Sequence, residues 1–146
     1  MNNIYRCEFD GSCFPENPGG NMGIGVVIYK NSDKIYEDAK FCGKNGGRSS
    51  SNLAEYLALE HALLYLKTLN LDNETIEIYG DSRLVINQLN NIFGISTTKI
   101  YSTKAREVYI LFRQLVDRNK VKAIWIPREK NKRADELSKE AHTKFT

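Results

Sequence analysis

From Ile4 to Asp10 the chain alternates, with Tyr5, Cys7 and Phe9 on one side and Arg6, Glu8 and Asp10 on the other. This predicts a strand that ends abruptly in Asp10-Gly11-Ser12. Asn17-Pro18-Gly19-Gly20 then forces a turn. Gly23 to Tyr29 is a β-branched run and predicts a second strand. Lys34 to Cys42 predicts a third, after a turn over Lys30 to Asp33. Connections this short favour an antiparallel meander. Gly43 to Ser51, rich in glycine and serine, reads as a loop.

The period then changes. Over Asn52 to Leu69, Leu53, Leu57 and Leu64 recur, as do Leu59, Leu63 and Leu66, so the helix is apolar around most of its circumference and belongs inside. Thr75 to Tyr79 predicts a fourth strand ending at Gly80-Asp81-Ser82, and Arg83 to Asn90 a short helix. After a loop over Phe93 to Thr98, the residues Ala105, Val108, Tyr109, Phe112, Leu115 and Val116 form one helical stripe between about Thr98 and Arg118. Val121 to Ile126 is the last strand, stopped by Pro127. Asn131 to about Thr143 closes the chain as a helix, with Ala134, Leu137 and Ala141 inward. A meander followed by strand–helix units predicts an α/β fold, a mixed sheet with helices on its faces.

No repeat or linker divides the 146 residues, so one domain over 1–146 is expected. With 41% hydrophobic and 27% charged residues and no long apolar run, the chain reads as globular, soluble and not membrane-spanning. The N-terminus lacks an apolar signal core. Cys7, Cys13 and Cys42 are odd in number and have no metal-type spacing, so they read as reduced thiols in a cytoplasmic setting. Nothing demands more than a monomer. The net charge of +3 is too mild to establish a nucleic-acid partner. Cations do cluster between Arg118 and Arg133, opposed within that span only by Glu129.

Chemistry enters with four acids. Asp10 and Asp81 end strands, Glu55 lies in the first turn of the buried helix, and Asp135 lies near the start of the last helix. Strand ends and the loops after them form the usual site crevice of an open α/β sheet. Each acid also has a bland reading. Glu55 completes a capping box with Asn52, Asp81 caps the next helix, and Asp135 pairs with Lys139. However, Glu55 shares a stripe with Leu59, Ala62 and Leu66, and an inward carboxylate needs a partner or a metal. Four carboxylates brought together repel unless cations neutralise them, and an oxygen-only donor set favours Mg²⁺ or Mn²⁺.

The surroundings of these acids carry a resemblance: Asp10-Gly11-Ser12 with Asn17-Pro18-Gly19-Gly20, Ser51-Asn52-Leu53-Ala54-Glu55, Asp81-Ser82, and Asn131-Lys132-Arg133-Ala134-Asp135-Glu136-Leu137. In this order, over essentially the whole chain, they resemble the type 1 ribonuclease H family. The resemblance implies a ribonuclease H-like fold, a five-stranded mixed sheet made of an antiparallel meander plus two parallel strands. It implies an endonuclease that cuts RNA in RNA–DNA hybrids and leaves 3′-hydroxyl and 5′-phosphate ends. Asp10, Glu55, Asp81 and Asp135 would hold two Mg²⁺ ions, with Mn²⁺ able to substitute. Asn17 and Ser51 fall where the family contacts nucleic-acid backbone, Asn52 where it reads the minor groove, and Gly11, Ser12 and Arg83 complete the implied substrate-binding set. Selection for RNA would rest on 2′-hydroxyls and hybrid shape, with little sequence preference.

The chain departs from many relatives. Asn90 to Thr103 is brief and holds only Lys99, so the basic helical protrusion is expected to be missing. Nothing before the first strand reads as a hybrid-binding domain. The stretch Trp125 to Asn131 has no His, which leaves Arg128, Glu129 or Lys130 as substitutes for a His found there in many bacterial members. The pattern is similar to compact archaeal-type and Bacillus-type members, some of which also cut double-stranded RNA. His61 is expected to be structural, His142 exposed, Trp125 packed in the core, and the basic run from Arg118 to Arg133 either a phosphate-holding or a solvated face. The competing readings are a catalytically silent hybrid-binding module, another nuclease on the same fold, and a receiver-type domain. The last is disfavoured because three strands in succession open the chain.

Overall fold

The computed structural model describes residues 3–44 and 48–143. The elements, in chain order, are β1 (Ile4–Phe14), β2 (Asn21–Lys30), β3 (Asp33–Gly43), α1 (Ser51–Thr68), β4 (Thr75–Gly80), α2 (Arg83–Leu89), α3 (Ser102–Val116), β5 (Lys120–Trp125), a 3-10 turn (Arg128–Lys130) and α4 (Lys132–Thr143). The predicted order of elements holds. The middle of the predicted Gly43–Ser51 loop, residues 45–47, lies outside the described residues.

The sheet is five-stranded in the order β3-β2-β1-β4-β5. The meander pairs antiparallel, and β4 pairs parallel with both β1 and β5. β1 is central, and its alternation decides both cores. Tyr5, Cys7 and Phe9 join the large core beneath α1 and α3. The opposite face is covered over the meander by α4, with a small core of Val27, Ala39, Leu137 and Ala141. α1 sits between sheet and α3, so residues around most of its surface are buried, as its sequence predicts. Of the leucines that predicted this, Leu57 is only partly buried and Leu64 is exposed.

β1 does not stop at Asp10. It pairs with β2 as far as Phe14 opposite Asn21, whereas its pairing with β4 ends at Glu8 opposite Tyr79. The expected strand end is therefore a one-sided end: the ladder lapses only on the β4 side. α3 begins at Ser102 and not near Thr98, because the Ser102 hydroxyl accepts a hydrogen bond from the Lys99 amide and holds the preceding residues in a turn. Its far end stops at Val116, where the buried Asn119 amide donates to the Leu71 and Leu115 carbonyls.

α4 lies directly on the β2 backbone. A Cβ built on Gly25 would fall 2.2 Å from the Ala134 carbonyl oxygen and 2.6 Å from the Ser138 amide nitrogen. A bidentate ion pair from Arg133 to Glu37, at 3.1 and 2.9 Å, fastens α4 to β3. Both partners are partly exposed, so water screens the pair. Among the described residues no helix is long and apolar enough to cross a membrane.

Two substitutions separate backbone contact from ion pairing. Gly25→Ala is expected to cost more than about 2 kcal/mol, because α4 must lift off the sheet. Arg133→Ala is expected to cost under about 1 kcal/mol. Urea unfolding of both variants checks the ranking, and an equal cost contradicts it.

Candidate active site

Where the β1–β4 ladder lapses, a crevice opens at the end of the parallel strands. Asp10 projects from β1 beside it and is buried, on the sheet face that α4 covers. Asp81 follows the last residue of β4 and is half-buried. Glu55 comes from α1, and it reaches the crevice because Gly11 lets β1 and α1 touch. A Cβ on Gly11 would sit 2.2 Å from the Ala54 carbonyl carbon. With no side chain between them, the Gly11 amide donates to Glu55 Oε1 at 2.6 Å.

The bland readings of Glu55 and Asp81 fall away. α1 is capped by Ser50, whose hydroxyl accepts from the Leu53 amide, and the helix begins at Ser51. Glu55 is therefore past the first turn and caps nothing. α2 is capped by Ser82, whose hydroxyl accepts from the Val85 amide, so the Asp81 carboxylate does not serve as the cap. The pairing of Asp135 with Lys139 is present at 3.1 Å, but Arg128 also reaches Asp135 at 3.2 Å.

One carboxylate oxygen each from Asp10, Glu55 and Asp81 lies within 4.8 Å of the others. Asp135 adjoins this triad, close enough to Asp10 for a hydrogen bond between the two acids, and is held by its two cations. Asp10, Glu55 and Asp81 floor an open cleft of about 570 Å³, walled by Ser51, Asn52, Trp125, Pro127, Arg128 and Glu129.

The other expected site residues divide. Gly11 and Asn52 line the cleft. Asn17 and Ser51 hold each other: the Asn17 amide donates to the Ser51 hydroxyl at 2.9 Å and accepts from the Ser51 backbone at 3.0 Å. Ser12 lies on the face of β1 turned to α4. Its hydroxyl donates to the Ser138 carbonyl and contacts His142 at 2.8 Å, so its side chain bridges β1 to α4 instead of facing the cleft. Arg83 is exposed and stacks 3.9 Å over the ring of Trp125. Lys130 is exposed and stands outside the cleft lining, unlike Arg128 and Glu129.

Trp125 is not a core residue. It is 36% exposed at the end of an edge strand, and its indole N–H donates to the Asp81 carbonyl at 3.1 Å. His142 is partly buried, edge-on to Phe14 and Phe41, because α4 packs its last turn against the extension of β1. His61 is structural as expected, linking α1 to Asp38 and the Tyr36 hydroxyl of β3. The basic run does not make one face. Arg118 pairs with Asp72, Arg133 pairs with Glu37, and of its cations only Arg128 lines the cleft.

Asn131 is the residue the sequence reading passed over. It is fully buried, and its amide donates to the Phe9 carbonyl at 2.9 Å and to Asp81 at 3.4 Å. It thereby crosses the gap left by the lapsed ladder. An asparagine just before a helix reads as an ordinary cap, and nothing local signals a span to two strands.

Burial dominates the protonation of the cluster. It pushes Asp10 up to about 7, with Glu55 opposing the rise and Asp81 and Asp135 adding to it. Glu55 is raised well above the carboxylate range by burial and by Asp10, and Asp81 is raised by burial. At Asp135 burial also acts upward, but hydrogen bonding with Asp10, Lys139 and Arg128 outweighs it and the group falls below its usual value. The second oxygen of Glu55 is buried with no hydrogen-bond partner. An unpartnered buried oxygen inside an all-carboxylate set that resists ionisation fits a hard divalent cation.

The linkage is testable. A buried acid with a raised pKa keeps its proton in the folded state after the unfolded chain has lost it. Stability of the metal-free protein is therefore expected to fall as pH rises from the ordinary value of 3.8 through about 7. Thermal melts in chelator check this slope. Mg²⁺ is expected to raise the melting temperature more at pH 7.5 than at pH 5, and Asp10→Asn to flatten both trends.

A family model described as reverse transcriptase-like matches residues 8–141. LC11-RNase H1, whose structure was solved in complex with an RNA/DNA hybrid, is 30% identical, with 98% of each chain covered and a TM-score of 0.81. RNase H1 from the halophilic archaeon Halobacterium salinarum NRC-1 is 27% identical, covering 97% of this chain and 98% of that one, with a TM-score of 0.76. The N-terminal RNase H domain of rv2228c from Mycobacterium tuberculosis, 24% identical with a TM-score of 0.78, shares the fold. Matched nearly end to end in sequence and in structure, the chain belongs to the type 1 ribonuclease H family within the reverse transcriptase-like group.

Proposed function

We propose that the protein is a divalent-cation-dependent endonuclease that hydrolyses the RNA strand of RNA–DNA hybrids and leaves 3′-hydroxyl and 5′-phosphate ends. The observation that carries this reading is the convergence of Asp10, Glu55 and Asp81 on one cleft floor with a buried Glu55 oxygen left unpartnered. Asp10, Glu55, Asp81 and the adjoining Asp135 would hold two Mg²⁺ ions, or Mn²⁺ in their place. Bound there, the ions would ease deprotonation of the attacking water and offset the charge that develops on the phosphate.

The remaining work falls to the protein's own groups. The Gly11 amide fixes one Glu55 oxygen, and the Asn131 amide fixes Asp81, so the acids are set before substrate arrives. Arg128 stands in the cleft wall beside Asp135. A guanidinium stays charged, so Arg128 can attract and orient a phosphate but cannot relay a proton. Glu129 lines the same wall and can. Of the substitutes for the missing His, Glu129 is thus assigned the proton transfer and Arg128 the electrostatic part. Asn52 and the mutually held Asn17 and Ser51 present fixed amide and hydroxyl groups along the rim. These suit sugar and backbone contacts, including the 2′-hydroxyl that distinguishes RNA.

The test is cleavage of an end-labelled hybrid with Mg²⁺, beside the matching RNA duplex, DNA duplex and single-stranded RNA. The RNA strand of the hybrid is expected to be cut, and Asp81→Asn to reduce the rate by ~100-fold or more. Cutting of the RNA duplex as well extends the substrate range to double-stranded RNA. Hybrid binding without cleavage in either cation favours a silent binding module. Glu129→Gln is expected to lower kcat with little change in KM and to flatten the acid limb of the pH–rate profile. An unchanged profile removes Glu129 from proton transfer.

A further inference from the structure

The active-site cleft does not end at its rim. Ser51 and Asn52 also line a second hollow of about 320 Å³, whose far side is Lys99, Ile100 and Tyr101, just ahead of α3. Ile100 in turn borders a third hollow of about 600 Å³. This one runs between the end of β3, with Lys40 and Lys44, and the facing sides of α1 and α3, where Leu53, Leu57 and Lys104 lie. The three concavities share lining residues and lie side by side, leading outward from the carboxylates.

The outer groove carries a net positive charge, Lys40, Lys44, Lys99 and Lys104 against Glu60 and Glu107. Lys40, Lys44 and Lys99 are exposed, and among the described residues no carboxylate pairs with them. The acids nearby, Glu60 and Glu107, are both tied to Lys104, at 2.9 and 2.8 Å. The floor between the lysines is apolar, formed by Met22, Leu53 and Leu57. Unpaired cations above an apolar floor suit a phosphodiester backbone whose charge must be met while its sugars and bases rest on carbon.

We propose that this outer groove binds the phosphate backbone of the nucleic acid where it extends beyond the cleft, with Lys40, Lys44 and Lys99 as its phosphate contacts. The inference rests on the nuclease reading of the cleft. Lys40 belongs to β3, Lys44 directly follows it, and Lys99 lies in the turn before α3, segments that carry none of the four acids. The handle for the substrate is thus separate from the cutting centre.

The test measures binding of an RNA–DNA hybrid to the Asp81→Asn protein in chelator, across a range of salt concentrations. Changing Lys40, Lys44 and Lys99 together to Ala is compared with changing Lys67, Arg113 and Lys120, exposed cations at the opposite ends of α1, α3 and β5. Both triples remove the same charge. The groove triple is expected to weaken binding tenfold or more at low salt and to lower the slope of log K against log salt by roughly 2 to 3, as loss of that many phosphate contacts requires. The distant triple is expected to leave that slope in place. Equal loss in both triples, or an unchanged slope in the groove triple, overturns the proposal. Cleavage by the unaltered protein is scored alongside. If the hybrid is cut while the groove triple keeps its slope, only the groove assignment fails. If the hybrid is bound through the lysines but never cut, only the nuclease reading fails.

Discussion

The contact on which the site depends is the one between the backbones of β1 and α1 at Gly11. Nothing but hydrogen separates them, and the Gly11 amide is thereby presented to Glu55. Any larger residue at Gly11 would push α1 outward, withdraw Glu55 and open the large core beneath it. Packing and chemistry meet here in one pair of residues. The same close approach accounts for a buried acid on a helix that otherwise carries leucine and alanine along its inward side.

A second constraint is electrostatic. Three acids share a small volume, and burial resists their ionisation. The protein manages this by giving each carboxylate a different support: a backbone amide for Glu55, a side-chain amide for Asp81, and two cations for Asp135. Asp10 has no amide or cation of its own: besides its contacts with the neighbouring acids it receives a long hydrogen bond of 3.5 Å from the Ser138 hydroxyl. Asp10 is central to the cluster, and a bound cation would relieve it together with Glu55, whose second oxygen has no partner.

Much of this was legible in the residues, because period carries secondary structure and punctuation carries its ends. The alternation of β1 and the largely buried α1 appear as read, and the last strand ends at Trp125, one residue short of its expected end before Pro127. The acids could be found because their neighbours, Gly11, Ser82 and the α4 start, form local patterns. What escaped depends on contacts between distant segments. Trp125 reads as core by its apolar bulk, yet it lies on an edge strand where its indole N–H meets Asp81. His142 reads as exposed, yet β1 runs on to Phe14 and supplies a surface that partly covers it. The basic run reads as one patch along the chain, but a strand, a turn and a helix divide its side chains among different directions.

The one-sided lapse of the sheet has a mechanical consequence. Asp10 is carried by a strand still paired with β2 on both sides of it, from Tyr5 to Phe14. Asp81 hangs just past the last rung of β4, steadied by the Asn131 amide and by the indole of Trp125. One acid is set in a stiff ribbon, and its neighbour sits on a short tether whose stays are side chains. Positional compliance is therefore divided unequally across the crevice. An occupant of slightly different radius would be accommodated by movement on the Asp81 side, while the Asp10 side keeps its place.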